Sequence, residues 1–324
     1  MIKVVRIHET GGPEVLRWET IGLDPPGAGE VRVRHTAVGL NFIDTYKRSG
    51  LYPMPLPAVL GEEAAGVIEE IGPGVTGLAS GDRVAYATTA GTGAYSEKRN
   101  VKASALVKLP DTIDDRTAAA VLLKGLTAHY LIEIGRLEET KKTIVVHAAA
   151  GGVGLLLSQW AKHYGATVIG TAGSEAKADI AKGHGCDHVI LYRHEKVDER
   201  ARAITNGVGV DVVFDSIGKD TFQESLDALR RRGLFVSFGQ SSGPIKAFEP
   251  RLLAQKGSLF FTRPTLHDYA VGDELQQRAN ELFDAITKGI LKIRVKHTYA
   301  LRDAETAHRD LEARKTTGST LLLP

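Results

Sequence analysis

The sequence predicts an α/β fold built on a doubly wound parallel sheet, and two observations carry this prediction. An apolar strand runs into a glycine-rich turn at 149–154, and the turn opens a long helical stretch at 155–164. Strand and helix patterns alternate over about residues 126–258, where the segments 211–215 and 234–239 are compact and apolar. Short apolar strands of this kind are typical of a parallel sheet that is buried on both faces.

The glycine-rich turn is the first candidate binding feature. Gly151, Gly152 and Gly154 let backbone N–H groups approach a ligand, and the helix start adds a partial positive charge. These properties suit the pyrophosphate of a dinucleotide. The pattern is A-x-x-G-x-G, counted from Ala149, rather than the commoner G-x-G-x-x-G. A tight strand-to-helix turn without a ligand therefore remains an alternative.

The next strand, at 166–170, indicates which dinucleotide is bound. A site for NAD usually carries Asp or Glu at the end of this strand, where it holds the ribose 2′-OH. Here the strand runs into small neutral residues ending in Ser174, and Lys177 follows three residues later. A hydroxyl and an ammonium favour a 2′-phosphate, so we expect NADPH rather than NADH. Glu175 could instead point at the ribose, and Lys177 could be a solvated helix residue.

Composition places the chain among ordinary soluble enzymes. Its 324 residues suffice for about two domains. A net charge of only +2 argues against a nucleic-acid ligand. We expect no membrane span, because no apolar run reaches the necessary length, and no signal peptide, because the chain begins directly with a strand pattern. The single cysteine, Cys186, excludes an internal disulfide and favours a cytoplasmic location.

Three motifs resemble one superfamily. The spacing Pro57-x-x-x-Gly61-x-Glu63-x-x-Gly66, followed by Gly81-Asp82-Arg83-Val84, resembles the zinc-type alcohol dehydrogenase superfamily of medium-chain reductases. The glycine-rich turn, with Gln159 and Lys162, is similar to the quinone oxidoreductase and zeta-crystallin branch. The stretch from Asn41 to Tyr46, followed by Arg48 to Pro53, resembles the substrate loop of bacterial NADPH:quinone reductases.

The resemblance implies a two-domain enzyme. Residues 1–125 and 259–324 would form a GroES-like, β-rich catalytic domain, and residues 126–258 a Rossmann NADPH-binding domain. The active site would lie in the cleft between them, where a quinone is reduced. The resemblance also implies a homodimer joined along the edge of the Rossmann sheet near 257–261, unless that apolar strand is covered within its own chain.

Site residues follow from the same resemblance. The candidates for stabilising negative charge on the acceptor oxygen are Asn41, Tyr46, Tyr52 and Arg263. Asp44 is expected to order the loop rather than to act as an acid. The two tyrosines could also be structural aromatic residues, and Arg263 could face solvent. The expected cofactor contacts are Thr127, Ala150, Gly151, Gly152, Val153, Gly173, Ser174, Lys177, Tyr192, Ser216, Phe238, Gln240 and Ser241.

Cysteine and histidine usage predicts that no metal takes part. A catalytic zinc in this superfamily needs Cys and His ligands. Where the zinc enzymes carry a ligand histidine, this chain has Glu62, and His184 and His188 beside Cys186 are expected to cap local structure. Without a Lewis acid the acceptor should already be electrophilic, such as a quinone or an activated alkene.

Two alternatives stay open from the sequence. One is an NADPH-dependent 2-alkenal or enoyl reductase on the same fold. The other, of a different class, is an NADPH-binding structural or RNA-associated protein related to the crystallins.

Overall fold

A computed structural model describes all 324 residues and divides into two compact units. The first unit comprises Met1–Leu126, Tyr269–Thr287 and Ile293–Pro324, and the second comprises Thr127–Asp268 and Lys288–Lys292. The main segment of the second unit extends ten residues past the expected end at 258. The reason is that the strand at 260–262 joins the sheet of this unit.

The first unit is built mainly from antiparallel strands. Its elements are β1 (Ile2–Ile7), β2 (Arg17–Ile21), β3 (Glu30–Leu40), α1 (Phe42–Arg48), β4 (Ala58–Val59), β5 (Ala64–Ile71), β6 (Arg83–Tyr86), β7 (Lys98–Lys102), β8 (Val107–Lys108), the start of α2 (Asp115–Gly135), and, near the C-terminus, α8 (Gly272–Thr287), β15 (Val295–Ala300), α9 (Ala304–Glu312) and β16 (Ser319–Leu323). A seven-stranded sheet has the order β15-β16-β3-β5-β6-β8, with β7 also paired to β3. A three-stranded sheet has the order β2-β1-β4. Alternating apolar residues such as Val31, Val33 and Ile68 are buried and belong to the core of this unit.

The second unit contains the predicted doubly wound sheet. Its elements are β9 (Thr143–Val146), α3 (Gly152–His163), β10 (Thr167–Ala172), α4 (Glu175–Lys182), β11 (His188–Leu191), α5 (Val197–Ile204), β12 (Val210–Asp215), α6 (Phe222–Ala228), β13 (Leu229–Ser237), α7 (Arg251–Gln255) and β14 (Phe260–Thr262). All neighbours pair in parallel in the order β11-β10-β9-β12-β13-β14. The strand order reverses between β9 and β12, which is where such sheets bind ligands. The predicted α/β fold is confirmed.

The outer strand of this sheet, β14, belongs to the second unit because it pairs with β13 and packs on its core. Phe261 stacks on Phe235 with ring centroids 5.3 Å apart. Phe260, on the opposite face, is 61% exposed. One edge of β14 has no strand partner within the chain.

Helix α2 corrects one sequence expectation. Its 21 residues, with a mean hydropathy of 1.2 in the most apolar window, are long and apolar enough to cross a membrane by length and composition alone. The stretch is not an uninterrupted apolar run, because Lys124 lies within it. Protein buries 78% of that window, as is usual for a core helix.

Candidate functional site

The glycine-rich turn leads from β9 into α3 at the carboxyl edge of the second unit's sheet. No side chain caps α3, and its N-cap residue Gly151 has an extended backbone. The first N–H groups of the helix, at 152–154, therefore lack an intrahelical acceptor. A β-carbon at Gly154 would lie 2.4 Å from the Ala148 carbonyl oxygen, so only glycine lets the helix begin this close to the turn. An uncapped N-terminus of this kind suits an anionic group.

Ala148 gives the turn its sharp bend. Its φ of 51° lies in the left-handed region, which costs a residue with a β-carbon about 1–2 kcal/mol. Two hydrogen bonds hold it there: its N–H donates to Thr171 Oγ1 at 3.2 Å, and its carbonyl accepts the Gly151 N–H at 2.8 Å. This conformation was not predictable from the sequence, because alanine rarely adopts it.

A buried network of hydrogen-bonded side chains stabilises the turn. His147 Nε2 lies 2.9 Å from Ser225 Oγ, and Ser225 Oγ donates to Asp215 Oδ2 at 3.1 Å. Burial lowers the pKa of His147, against the opposing effect of Asp215. A neutral ring that donates through Nε2 can accept the Thr171 hydroxyl at Nδ1, 3.2 Å away. These hydrogen bonds connect the ends of β9, β10 and β12.

The end of β10 carries the predicted phosphate-binding residues. Ser174 is the N-cap of α4, and its Oγ accepts the Lys177 backbone N–H at 3.4 Å. A β-carbon at Gly173 would lie 2.5 Å from the Tyr192 hydroxyl oxygen. The glycine therefore lets Tyr192, which follows β11, lie against this turn. Ser174 is exposed and Lys177 half-buried, so both are accessible to a ligand.

The loops after β12 and β13 form the other side of this edge. The Ser241 N–H donates to the Ser216 carbonyl at 3.1 Å, and the Phe238 N–H donates to the Asp215 carbonyl at 2.8 Å. Asp215 also accepts the N–H groups of Ile217 and Gly218 through its carboxylate. The structure thus brings the predicted residues Ser216, Phe238, Gln240 and Ser241 together in two interlocked loops.

Two further predicted residues belong to the second unit, and Arg263 lies at the same carboxyl edge, because it follows β14, which is parallel to β13. Thr127 is 7% exposed on α2. Arg263 is exposed just after β14, and its Nη1 donates to the Pro264 carbonyl at 3.0 Å. Their roles, like those of the other site residues, stay predictions.

In the first unit, Asn41 occupies a built polar site. It is the N-cap of α1 and is 6% exposed. Its Nδ2 donates to Glu63 Oε2 at 2.9 Å. Its backbone N–H donates to Asp44 Oδ2 at 2.9 Å, so Asp44 orders the start of the helix.

The Glu63 carboxylate is the centre of this site. It is fully buried and accepts the Lys124 ammonium at 2.8 Å and the Leu123 backbone N–H at 2.7 Å, besides the Asn41 amide. Lys124 is itself only 5% exposed. Glu63 belongs to one of the motifs described above, but its partners were not predictable from the sequence. The partner helix α2 lies 60 residues further along the chain.

The predicted aromatic residues lie next to each other on and after α1. Tyr46 is 8% exposed, and its ring meets that of the half-buried Tyr52 edge to face, with centroids 5.4 Å apart. The Tyr52 backbone N–H donates to the Tyr46 carbonyl at 3.1 Å. Paired rings of this kind can pack on a planar ligand.

Glu62 forms an ion pair with a lysine side chain. It is fully buried and pairs with Lys47 of α1. No group of three or more His, Cys, Asp or Glu side chains is arranged to hold a metal ion.

Comparison with known families defines the class of the protein. Residues 27–111 match the family described as the alcohol dehydrogenase GroES-like domain. Residues 152–288 match the family described as zinc-binding dehydrogenase. The chain thus combines the two domain types that the sequence motifs implied.

Full-length relatives narrow this class. A quinone oxidoreductase of Pseudomonas aeruginosa is 51% identical, and the alignment covers 100% of both chains. A 2-haloacrylate reductase of a Burkholderia species is 45% identical over 100% of this chain and 99% of the relative. The crystal structure of Escherichia coli quinone oxidoreductase complexed with NADPH superposes with a TM-score of 0.96, at 47% identity over 99% of this chain and 100% of that one. The chain belongs to the quinone oxidoreductase family.

The buried ion pair gives a stability prediction. Glu63→Gln would leave the Lys124 ammonium buried without a counter-charge, so we expect the free energy of unfolding to fall by about 3–5 kcal/mol in urea titrations. The matched control is Glu69→Gln, because Glu69 forms a partly exposed pair with Lys98. The control should lose less than about 1 kcal/mol. Equal losses in the two variants would contradict the central role of Glu63.

Proposed function

We propose that the chain is an NADPH-dependent quinone reductase. The proposal rests on sequence identity: over its whole length, the chain shares 48–51% of its residues with proteins named quinone oxidoreductase. The site described above supports it. An uncapped helix start lies at the sheet edge where dinucleotides bind, and a hydroxyl and a lysine stand where NAD sites carry an acid.

The second unit would hold the cofactor, which supplies the hydride when bound. The N–H groups at 152–154 would bind the pyrophosphate, as the first turn of α3 leaves them free of intrahelical acceptors. Ser174 and Lys177 would contact the 2′-phosphate, with Tyr192 beside the adenosine. The remaining proposed contacts are Thr127, Ala150, Gly151, Gly173, Ser216, Phe238, Gln240 and Ser241.

Residues of the substrate loop would bind the acceptor. Tyr46 and Tyr52 would pack on the planar ring, and Asn41 would donate to the oxygen on which negative charge develops. Glu63 accepts one N–H of the Asn41 amide and fixes its orientation, so the second N–H, which lies at 3.5 Å from the Gly39 carbonyl, would be the one that donates to the acceptor oxygen. Arg263 remains a candidate for the same electrostatic role.

One relative favours a second candidate activity. A 2-haloacrylate is an activated alkene, and the reductase named for it is 45% identical to this chain. Reduction of an activated alkene needs the same hydride donor and the same stabilisation of a developing oxyanion.

Turnover separates these functions. We expect NADPH oxidation with a panel of quinones, monitored at the nicotinamide absorbance, to be faster than with 2-alkenals or 2-haloacrylates under the same conditions. Faster turnover of the alkenes would favour the second candidate. NADPH binding without turnover of either class would indicate a binding protein instead.

Cofactor choice is tested at Lys177. Losing one charge-assisted contact costs about 1.5–3 kcal/mol, so Lys177→Ala should weaken NADPH binding about 10- to 100-fold and NADH binding little. Titration of both cofactors by fluorescence measures this. Lys182→Ala on the same helix is the control and should change neither affinity. Equal losses for NADPH and NADH in Lys177→Ala would show that Lys177 does not contact the 2′-phosphate.

We also propose that the reaction is independent of zinc. Where the zinc enzymes of the superfamily carry a ligand histidine, this chain has Glu62, whose carboxylate is already paired with Lys47. Elemental analysis of the purified protein should find far less than one zinc per chain, and a chelator should leave turnover unchanged. One zinc per chain together with loss of activity on chelation would overturn this mechanism.

We propose a cytoplasmic homodimer joined along β14. An unpartnered apolar edge tends to recruit another chain, and a two-fold pair closes it. Light scattering at micromolar concentration should report about twice the 34.9 kDa chain mass. Phe260→Asp should shift the protein toward monomer, and Val208→Asp should not, although Val208 is equally exposed at 62%. A wild-type monomer would remove this interface.

A further inference from the structure

The carboxyl group of Asp44 is fully buried and bonded on one side only. Its Oδ2 accepts both the Asn41 backbone N–H at 2.9 Å and the Tyr95 hydroxyl at 3.0 Å. Its Oδ1 is buried and has no hydrogen-bond partner. Because two donors already converge on Oδ2, a proton on this carboxyl group would reside on Oδ1.

Tyr95 is the last member of a hydrogen-bonded chain that begins on the same helix as Asp44. Arg48 Nη1 lies 3.0 Å from His308 Nδ1, and His308 Nε2 lies 2.9 Å from the Tyr95 hydroxyl. Arg48 also forms a bidentate ion pair with Glu312, in which Nη2 donates to Oε1 at 2.7 Å and Nη1 donates to Oε2 at 3.0 Å.

The direction of this chain is fixed by its first member. A guanidinium group has no acceptor, so Arg48 must donate to His308 Nδ1. The imidazole is then neutral and donates through Nε2 to Tyr95, which donates in turn to Asp44. Burial, followed by the charge of Arg48, lowers the pKa of His308 to about 3 and keeps it neutral.

The fixed direction has a chemical consequence for Asp44. Arg48 does not release its proton at any ordinary pH, so the chain cannot pass a proton between Asp44 and solvent. The chain therefore positions the carboxyl group, and a proton can enter or leave it only at Oδ1.

The surroundings of Asp44 allow it to hold a proton near neutrality. Burial raises its pKa to about 7, against the hydrogen bonds from Asn41 and Tyr95 and the charges of Lys124 and Lys47. The charges of the two lysines are offset by their own buried partners, which are Glu63 and Glu62.

We propose that Asp44 Oδ1 stores the proton that the reduced acceptor takes up, and that Tyr95, His308 and Arg48 are positioning residues for it. This inference rests on the proposed function, because reduction of a quinone carbonyl adds a proton as well as a hydride. The O–H bond at Oδ1 breaks, an O–H bond forms on the acceptor oxygen, and Asp44 becomes a carboxylate. A proton from solvent then reloads Oδ1.

The first test is the pH dependence of kcat/KM with a quinone. Since the protonated form is required, kcat/KM should fall as the pH rises through about 7. Asp44→Asn cannot donate this proton and should lower the rate by about 10²- to 10⁴-fold and abolish the alkaline fall. Wild-type activity together with an unchanged alkaline fall in Asp44→Asn would overturn the proposal.

The second test concerns the positioning chain. The Tyr95 hydrogen bond lowers the pKa of Asp44, so Tyr95→Phe should shift the alkaline fall to higher pH. The matched control is Tyr299→Phe, because the Tyr299 hydroxyl donates to a different aspartate, Asp310, at 2.8 Å. The control should leave both the rate and the pH profile unchanged. An unshifted profile in Tyr95→Phe would overturn the positioning role.

Infrared spectroscopy of the protonated carboxyl group provides a readout that does not need turnover. The wild-type protein should show a carboxylic-acid band that disappears with an apparent pKa of about 7, is absent in Asp44→Asn and titrates at higher pH in Tyr95→Phe. Absence of the band at pH 6 would overturn the proposal. If wild-type protein turns over no quinone, the proposed function fails, and the titration of this band still decides whether Asp44 holds the proton.

Discussion

The site of the first unit depends on the buried ion pair between Glu63 and Lys124. Two charges taken out of water are stable only when hydrogen bonds satisfy their remaining atoms, and Glu63 meets this condition with an ammonium, an amide and a backbone N–H. The same contacts connect α1 to α2 and fix the Asn41 side chain. Gly39 is part of this arrangement, since a β-carbon there would lie 2.2 Å from Glu63 Oε2. The Glu63 carboxylate can therefore lie this close to the backbone only because residue 39 is a glycine.

In the second unit a buried carboxylate is satisfied without a lysine. Asp215 accepts two backbone N–H groups and two hydroxyls, so its charge is distributed over neutral donors. The loops after β12 and β13 are joined through this residue, so hydrogen bonds within the chain fix the carboxyl edge of the sheet. Pre-ordered N–H groups lose less conformational entropy on binding an anion than a mobile loop does.

The sequence predicted the second unit better than the first. Compact apolar strands and a glycine-rich turn are local signals, and the sheet follows from them by the rules for parallel strands. The extension of β13 back to Leu229 was not predictable, because its start pairs with Val210 across an irregular register. Nor were the partners of Glu63 and Asp44, since spacing along the chain does not report contacts between distant segments. The substrate loop itself was placed by resemblance and not by pattern.

The bond between Arg48 and His308 joins residues 260 positions apart. Contacts of such long range form late, because closing the loop costs chain entropy before the contact returns any stabilisation. Helix α1 has only seven residues and is marginal by itself. During synthesis on the ribosome, the N-terminal strands can therefore assemble early, whereas the surroundings of Asp44 are completed only after α9 has emerged and docked.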